Sequence, residues 1–302
     1  MAMSSCNLKQ LWALAWLFPK ITEKHVLQLF ANGFQLNDSG LQQCLPDLCH
    51  WFALTESEVA RRWSQCAEEF SLLMSMGANL LTPSCDGYPA KLKFRCSRPP
   101  VLSVSGDPSL LSLRGLAVVG SRKVSPASRA WLEGELSKAL VSEKAKQNLC
   151  VISGGAMGVD QLAHQLALLS GVPCLCVAPV GLAKLYPKSL IHLANVIRDR
   201  GGLLVSPFRP SQTVRKSLFA SRNFVLANLA NLLFVVQAEK RSGSLMSAQL
   251  AAKSGVEVAA LAGAAGDALS AGSLDLIYDG ALMIRTGSDL NLALNVAGNS
   301  RP

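Results

Sequence analysis

The chain has 302 residues, half of them hydrophobic and 16% charged, with a net charge of +9. That length predicts two domains of roughly 100–200 residues each, and that apolar content excludes disorder as the dominant state. The longest apolar runs, such as Leu11–Phe18, fall well short of the ~20 residues that cross a bilayer. The first residues lack a basic leader with an apolar h-region, so a cytoplasmic protein without membrane contact is expected. Nine cysteines, an odd number, form no Cys-x-x-Cys pair. Reduced, buried structural thiols are expected from them, not disulfides or a zinc site.

Leu8–Phe18 and Thr22–Ala31 carry apolar residues at helical spacing, with Pro19 between them. Polar, turn-rich stretches at 32–40 and at Pro46-Asp47 divide these helices from the next. Thr55-Glu-Ser-Glu58 reads as a capping box opening a third helix that runs to about Met76. Residues 1–76 are therefore expected to form a small all-helical unit. Thr82–Pro100, rich in Pro, Ser and Cys, reads as a linker, and residues 77–112 as linker and entry segment.

From about Leu113 strands and helices alternate. Apolar β-runs fall at Leu116–Val119, Leu149–Ile152, Cys174–Ala178, Leu203–Val205, Leu232–Val236 and Val256–Leu261. Helical patterns separate them at Pro126–Lys146, Val159–Ser170, Ser189–Asp199, Phe219–Ala230 and Leu245–Ser254. Repeated βαβ units with near-continuous apolar strands predict, for 113–302, a Rossmann-like α/β domain with a doubly wound, mostly parallel sheet. In the strand Cys174–Ala178, Cys174 and Cys176 are expected on one face.

Charge is unevenly placed along the chain. Residues 1–100 carry +1 and residues 101–302 carry +8. No acidic residue occurs from Arg200 to Ala238, a window that holds Arg200, Arg209, Arg215, Lys216 and Arg222. An anion-binding surface follows, with nucleic acid as its leading ligand; a solvated basic face would need no more than the same charges.

In an open parallel sheet, ligands sit outside the C-terminal ends of the strands. Four loops there have a suitable composition. Gly120-Ser121-Arg122 offers a tight turn, a hydroxyl and a guanidinium that can grip phosphate, or else an ordinary βα turn. Ser153-Gly154-Gly155-Ala156 precedes a helix, where exposed N–H groups and the helix dipole can cradle an anion. Asp160 and His164 lie four apart on that helix; a mutual structural hydrogen bond is expected over acid–base chemistry. Arg215-Lys216-Ser-Leu-Phe219-Ala-Ser-Arg222-Asn223 interleaves cations with an aromatic, the combination that holds a backbone while stacking a base; Phe219 would fit a plain core position equally. Arg241-Ser242-Gly243-Ser244 suits an anion or simple N-capping. Gly-x-Gly-x-x-Gly, a Walker lysine, Gly-x-Ser-x-Gly and metal-spaced His/Cys sets do not occur. No catalytic residue, metal or cofactor is expected, and the loops point to binding.

These residues resemble the DNA-processing protein A family (DprA, also called Smf). The likeness runs through Val119-Gly-Ser-Arg122, Ile152-Ser-Gly-Gly-Ala156, Gly158-Val-Asp160 with Ala163-His164, Gly181-Leu182 and Tyr186-Pro187. It continues through Phe219, Arg222-Asn223, Ser242-Gly-Ser-Leu245 and Gly280-Ala281, with Asp86-Gly-Tyr88-Pro89 and Pro99-Pro100-Val101-Leu102 upstream. Order and spacing agree over roughly residues 77–290. The resemblance implies a homodimer, joined through the Rossmann domain, that binds single-stranded DNA, protects incoming strands and loads the RecA recombinase in natural transformation. It places the backbone grip on Arg122, Lys216 and Arg222, N–H donors at Gly154 and Gly155, and Phe219 near a base. It likens residues 1–76 to a SAM-like helical domain, and it implies that the winged-helix tail of some relatives is absent.

The chain departs from the family at several positions. Phe224 stands where many relatives have arginine, Gln237 where a glutamate is common, and Ser206-Pro207 where Ser-Glu is found. Ala183 and Leu274 replace a frequent aspartate and an asparagine. The competing reading is a phosphoribohydrolase-like nucleotide enzyme on a related Rossmann fold. Against it, Ser242–Gln249 holds no carboxylate for acid–base work. A third reading is a protein–protein adaptor without DNA binding.

Overall fold

The computed structural model describes residues 5–18, 20–97, 99–142 and 148–299. Pro19, expected as a helix separator, and the expected helical end at Lys146 lie outside the described residues. Residues 5–75 hold α1 (Ser5–Trp12), a 3-10 turn (Ala13–Trp16), α2 (Glu23–Ala31), α3 (Asp38–Phe52) and α4 (Glu56–Ser75). The capping box forms as read: the Glu58 N–H donates to Thr55 Oγ1 and the Thr55 N–H to Glu58 Oε2 (3.3 and 3.0 Å). Such a cap is worth about 1 kcal/mol.

Residues 32–37 form the expected turn, but helix α3 corrects the turn reading of 38–40 and 46–47. Asn37 starts it, its Oδ1 accepting from the Gly40 N–H at 2.9 Å. Pro46 sits inside the helix. Proline removes the bond to the carbonyl four residues back, but Gln42 and Pro46 are both exposed, so water can serve that carbonyl. Buried Cys44 and Leu48 hold the helix to the core on its other side.

Residues 77–112 are also more than a linker. They supply β1 (Asn79–Leu81), α5 (Ala90–Arg95) and β2 (Leu102–Gly106). Both strands pair antiparallel at the edge of the sheet, β1 on β2 and β2 on β6 (Leu203–Ser206). The remaining strands are β3 (Arg114–Val119), β4 (Leu149–Ser153), β5 (Cys174–Val177), β7 (Leu232–Val235), β8 (Glu257–Leu261) and β9 (Leu282–Ile284). The order β1-β2-β6-β5-β4-β3-β7-β8-β9 is parallel from β6 onward. Between these strands lie α6 (Pro126–Trp131), a π turn (Leu132–Leu136), α7 (Ser137–Val141), α8 (Val159–Leu169), α9 (Lys188–Asp199), α10 (Leu218–Leu229), α11 (Gly243–Lys253), α12 (Ala271–Tyr278) and α13 (Gly287–Asn299).

The sheet is buried on both faces, and its strands divide their side chains by the period of two. Leu116, Val118, Val151, Cys174, Cys176 and Phe234 face one apolar layer, which α8, α9 and the N-terminal helices complete. Ala117, Val119, Cys150, Ile152, Leu175 and Leu233 face the other, against α10 and α11. Cys174 and Cys176 share a face, as their spacing predicts. This is the doubly wound α/β architecture.

A buried polar bolt joins the helical region to the sheet. Glu69 of α4 is 4% exposed. It takes an ion pair from Arg209 and accepts hydrogen bonds from the Ser211 hydroxyl and N–H, the last at 2.8 Å. Both partners lie in the loop after β6. No helix among the described residues is long and apolar enough to cross a membrane.

Candidate nucleic-acid interface

The chain reverses its direction across the sheet at β3, with β4 on one side and β7 on the other. Loops leaving the C-terminal ends of these strands diverge there and leave a crevice. Gln237, just past β7, sets the shape of the first loop. Its carbonyl accepts from the Ser121 N–H (2.8 Å) and its Oε1 from the Ser125 N–H (3.0 Å). Its Nε2 donates to the Lys123 carbonyl (3.3 Å). A glutamate could not make that last bond while ionised, so the departure at Gln237 is matched to the loop it holds.

Two glycines let the loops meet. A Cβ on Gly120 would lie 2.6 Å from the Val159 side chain, and one on Gly158, whose φ is +87°, 2.4 Å from the Ser121 carbonyl. The Val159 N–H donates to that same carbonyl at 3.1 Å. Arg122 is thereby projected outward and exposed.

Gly154 has a different partner. A Cβ there would sit 1.3 Å from Arg222 Nη1. The bare glycine is what lets the Arg222 guanidinium lie across the loop. Arg222, in the second turn of α10, is 6% exposed, its Nη1 stands 3.9 Å from Asp160 Oδ2, and its Nε has no hydrogen-bond partner. Burial pushes the Asp160 carboxyl up and the Arg222 guanidinium down, and each opposes the other's neutralisation. The half-buried Phe219 ring lies within cation–π range of both arginines, 5.9 Å from the Arg122 guanidinium carbon and 5.7 Å from that of Arg222.

The cradle expected at Ser153–Ala156 is filled from within. Asp160 accepts from the Ala156 N–H at 3.3 Å and from the Gly154 backbone. The Gly154 N–H, expected as a phosphate donor, therefore holds this chain's own carboxylate together with the Ala156 N–H. Ser153 is fully buried, its hydroxyl donating to the Val118 carbonyl (2.7 Å). Gly155, at φ +73°, backs onto Leu190 and Cys176. The expected Asp160–His164 bond is not made. Asp160 turns toward Arg222, while His164 is wholly buried beside the Ser153 backbone. That burial lowers its pKa to about 4, partly offset by the Ser153 backbone.

Arg122, Gly154, Ala156, Phe219 and Arg222 thus line one pocket. Lys216 and Arg215 stand exposed beside it, at the entrance to α10. Asn223, Ser242, Gly243 and Ser244 do not line it. Asn223 is buried and its Nδ2 donates to the Gly243 carbonyl (3.5 Å). Ser242 caps α11 through the Leu245 N–H (3.4 Å), and Ser244 is buried. Two cations of the acid-free window are paired in space, Arg209 with Glu69 and Arg222 with Asp160. Arg200 caps the C-terminus of α9, three residues before β6 begins, and so lies at the opposite rim.

Sequence reasoning missed Met157, Pro179, Tyr186 and Pro187, which complete the pocket. Tyr186-Pro187 follows β5 at the same rim, a position that could have marked it. Lys123, Lys184 and Lys188 add exposed cations there, with Glu239 as an exposed acid. Phe224 is half-buried against the α10 side of the core, so the arginine it replaces leaves an apolar contact.

Comparison with known proteins gives the family and the fold. The sequence profile of the family described as DNA recombination-mediator protein A matches residues 79–295. The chain is 34% identical over 205 residues to the DNA processing protein DprA of Streptococcus pneumoniae, covering 68% of this chain and 70% of that one. It is 32% identical to Smf of Escherichia coli over 68% of this chain and 54% of the relative, so it spans little more than half the length of some curated relatives. The crystal structure of S. pneumoniae DprA superposes with a TM-score of 0.74 at 26% identity, covering 96% and 98% of the two chains. The DNA processing protein A of Helicobacter pylori, studied for its single-stranded DNA binding mode, superposes with a TM-score of 0.62 at 26% identity, over 72% of this chain and 96% of that one.

Proposed function

The chain belongs to the DNA recombination-mediator protein A family, and from that premise we propose that it binds single-stranded DNA along the C-terminal rim of its sheet. The observation that carries this reading is Phe219 lining the glycine-loop pocket within cation–π range of both Arg122 and Arg222. An aromatic face takes an unstacked base of any sequence, and the exposed Arg122, Lys216 and Arg215 take the backbone. Duplex DNA keeps its bases stacked and offers only its phosphates. The role is stoichiometric: a homodimer, joined through its Rossmann domains in the cytoplasm, covers incoming strands and passes them to RecA. The H. pylori relative's single-strand binding mode supports the ligand class.

The first check is fluorescence anisotropy of a labelled ~30-nucleotide strand against its duplex, a length that spans several binding units. Preference for the single strand is expected, weakened by Lys216→Glu for all sequences alike. Equal affinity for the duplex would contradict the reading. RecA coupling is tested separately, by filament nucleation on strands precoated with single-strand-binding protein; acceleration is expected, and no acceleration contradicts that part alone. For the phosphoribohydrolase alternative no observation speaks: the carboxylate of this pocket, Asp160, is 5% exposed and engaged.

A further inference from the structure

A second cavity, of about 550 Å³, lies where the N-terminal helices meet the loop between β6 and α10. That volume is within the ~300–1,000 Å³ of sites that take small organic ligands. Half-buried Trp16 and Phe208 line it together with Pro99 and Pro100, and exposed Lys24 stands at its mouth. Aromatic and proline walls, broken by polar Thr22, Arg209 and Gln212 and with Lys24 exposed beside them, suit a planar, polar-edged ring that carries a phosphate.

Position narrows the occupant. Leu218 lines this cavity, and the next residue, Phe219, lines the glycine-loop pocket. Both cavities therefore share the first turn of α10. The segment between them, 207–218, contains Arg209, Arg215 and Lys216 and no acid. Arg209 is fixed as part of the wall by Glu69. The acid in the lining, Glu23, accepts a hydrogen bond from Ser84 Oγ at 3.0 Å. A polyanion gripped at Lys216 and Arg215 thus meets no acid of this segment on its way from one cavity to the other.

We propose that the cavity between the helical region and the sheet receives a nucleobase of the same single strand that Phe219 engages, extending the DNA path onto the N-terminal helices. This rests on the single-strand reading above. The helical region then acts as part of the DNA site, with Trp16 and Phe208 as its base-contacting aromatics.

The test is photocrosslinking of the whole chain to a 20-nucleotide thymidine strand carrying 5-iodouracil, followed by peptide mapping. Two crosslinked regions are expected, one containing Phe219 and one containing Trp16 or Phe208. Phe208→Ala should remove the second crosslink, keep the first, and weaken binding on the order of tenfold, as loss of a stacked base does. Lys24→Glu, a surface change that spares the core, should weaken binding in the same direction. A crosslink at Phe219 alone, with unchanged affinity in both variants, overturns the proposal and leaves the single-strand reading standing. Absence of any strand binding overturns both.

Discussion

Arg222 is the residue whose role the structure changes most. A cation read from the sequence as a phosphate grip is buried against Asp160 and supports one face of Phe219. Gly154 is its counterpart, kept bare so that the guanidinium can lie there. Gly154→Ala should therefore displace Arg222, leave Phe219 with Arg122 alone, and weaken single-strand binding about tenfold or more, since a cation–π contact and a fixed stacking face are lost together. Anisotropy gives the affinity, and circular dichroism checks that the fold persists. Wild-type affinity in a folded Gly154→Ala protein would show that Arg222 need not lie over that loop. His164 offers a second residue-level check. Its folded pKa is about 4 against an ordinary value of 6.5. Between those values the unfolded chain holds a proton that the native state does not, so stability is fully present above pH ~6.5 and declines toward pH ~4. The loss is bounded at about 3 kcal/mol from this group. Urea midpoints measured from pH 7 to 4.5 should fall in the wild type and fall less steeply in His164→Leu.

Helix α4 and the loop after β6 meet through Glu69, and that contact decides how the helical region is held. Removing one partner of a buried pair leaves the other uncompensated, at a cost of about 3–5 kcal/mol. Arg209 is itself partly exposed, so Glu69→Ala should fall toward the lower end, near 3 kcal/mol, read from the urea midpoint. A change under about 1 kcal/mol would show the pair to be replaceable by water. The elements themselves were unevenly legible. The six parallel strands from β3 to β8 stood out because strands buried on both faces read as continuous apolar runs. Asn79–Leu81 and Leu282–Ile284 are three-residue edge strands, too brief for periodicity to separate from loop, while Leu102–Gly106, paired on both sides, alternates apolar residues with serine inside a stretch whose composition reads as linker. Helix α3 was hidden by Pro46, whose cost falls on a solvent-facing carbonyl that no local pattern reports. In the site, loop positions were legible from topology, and residues from their chemistry. Burial was not: nothing local to Ser153, Asn223 or Ser244 tells that their polar groups are spent inside the fold. Nor could the sequence show that Asp160 fills the glycine cradle, because that depends on α8 turning back onto its own leading loop.

At the scale of the whole molecule, exposed cations gather at the C-terminal end of the sheet. The C-terminal rim displays Arg122, Lys123, Lys184, Lys188, Arg215 and Lys216, all exposed. Of the acids near it, Glu69 and Asp160 are buried on Arg209 and Arg222, and Glu239 is exposed. The net positive face is thus built from exposed residues, while the paired arginines belong to the scaffold. Its consequence is a salt dependence that separates the two kinds of cation. A strand that has about four phosphates neutralised should show log affinity falling with log salt at a slope of roughly −3. The most direct measurement is that slope for the wild type, Arg122→Ala and Lys216→Ala, by anisotropy of one labelled strand. Each substitution should flatten the slope by about 0.7, the share of one phosphate contact on a single strand. Slopes that stay at the wild-type value in both folded variants would contradict the claim that the exposed rim grips the backbone.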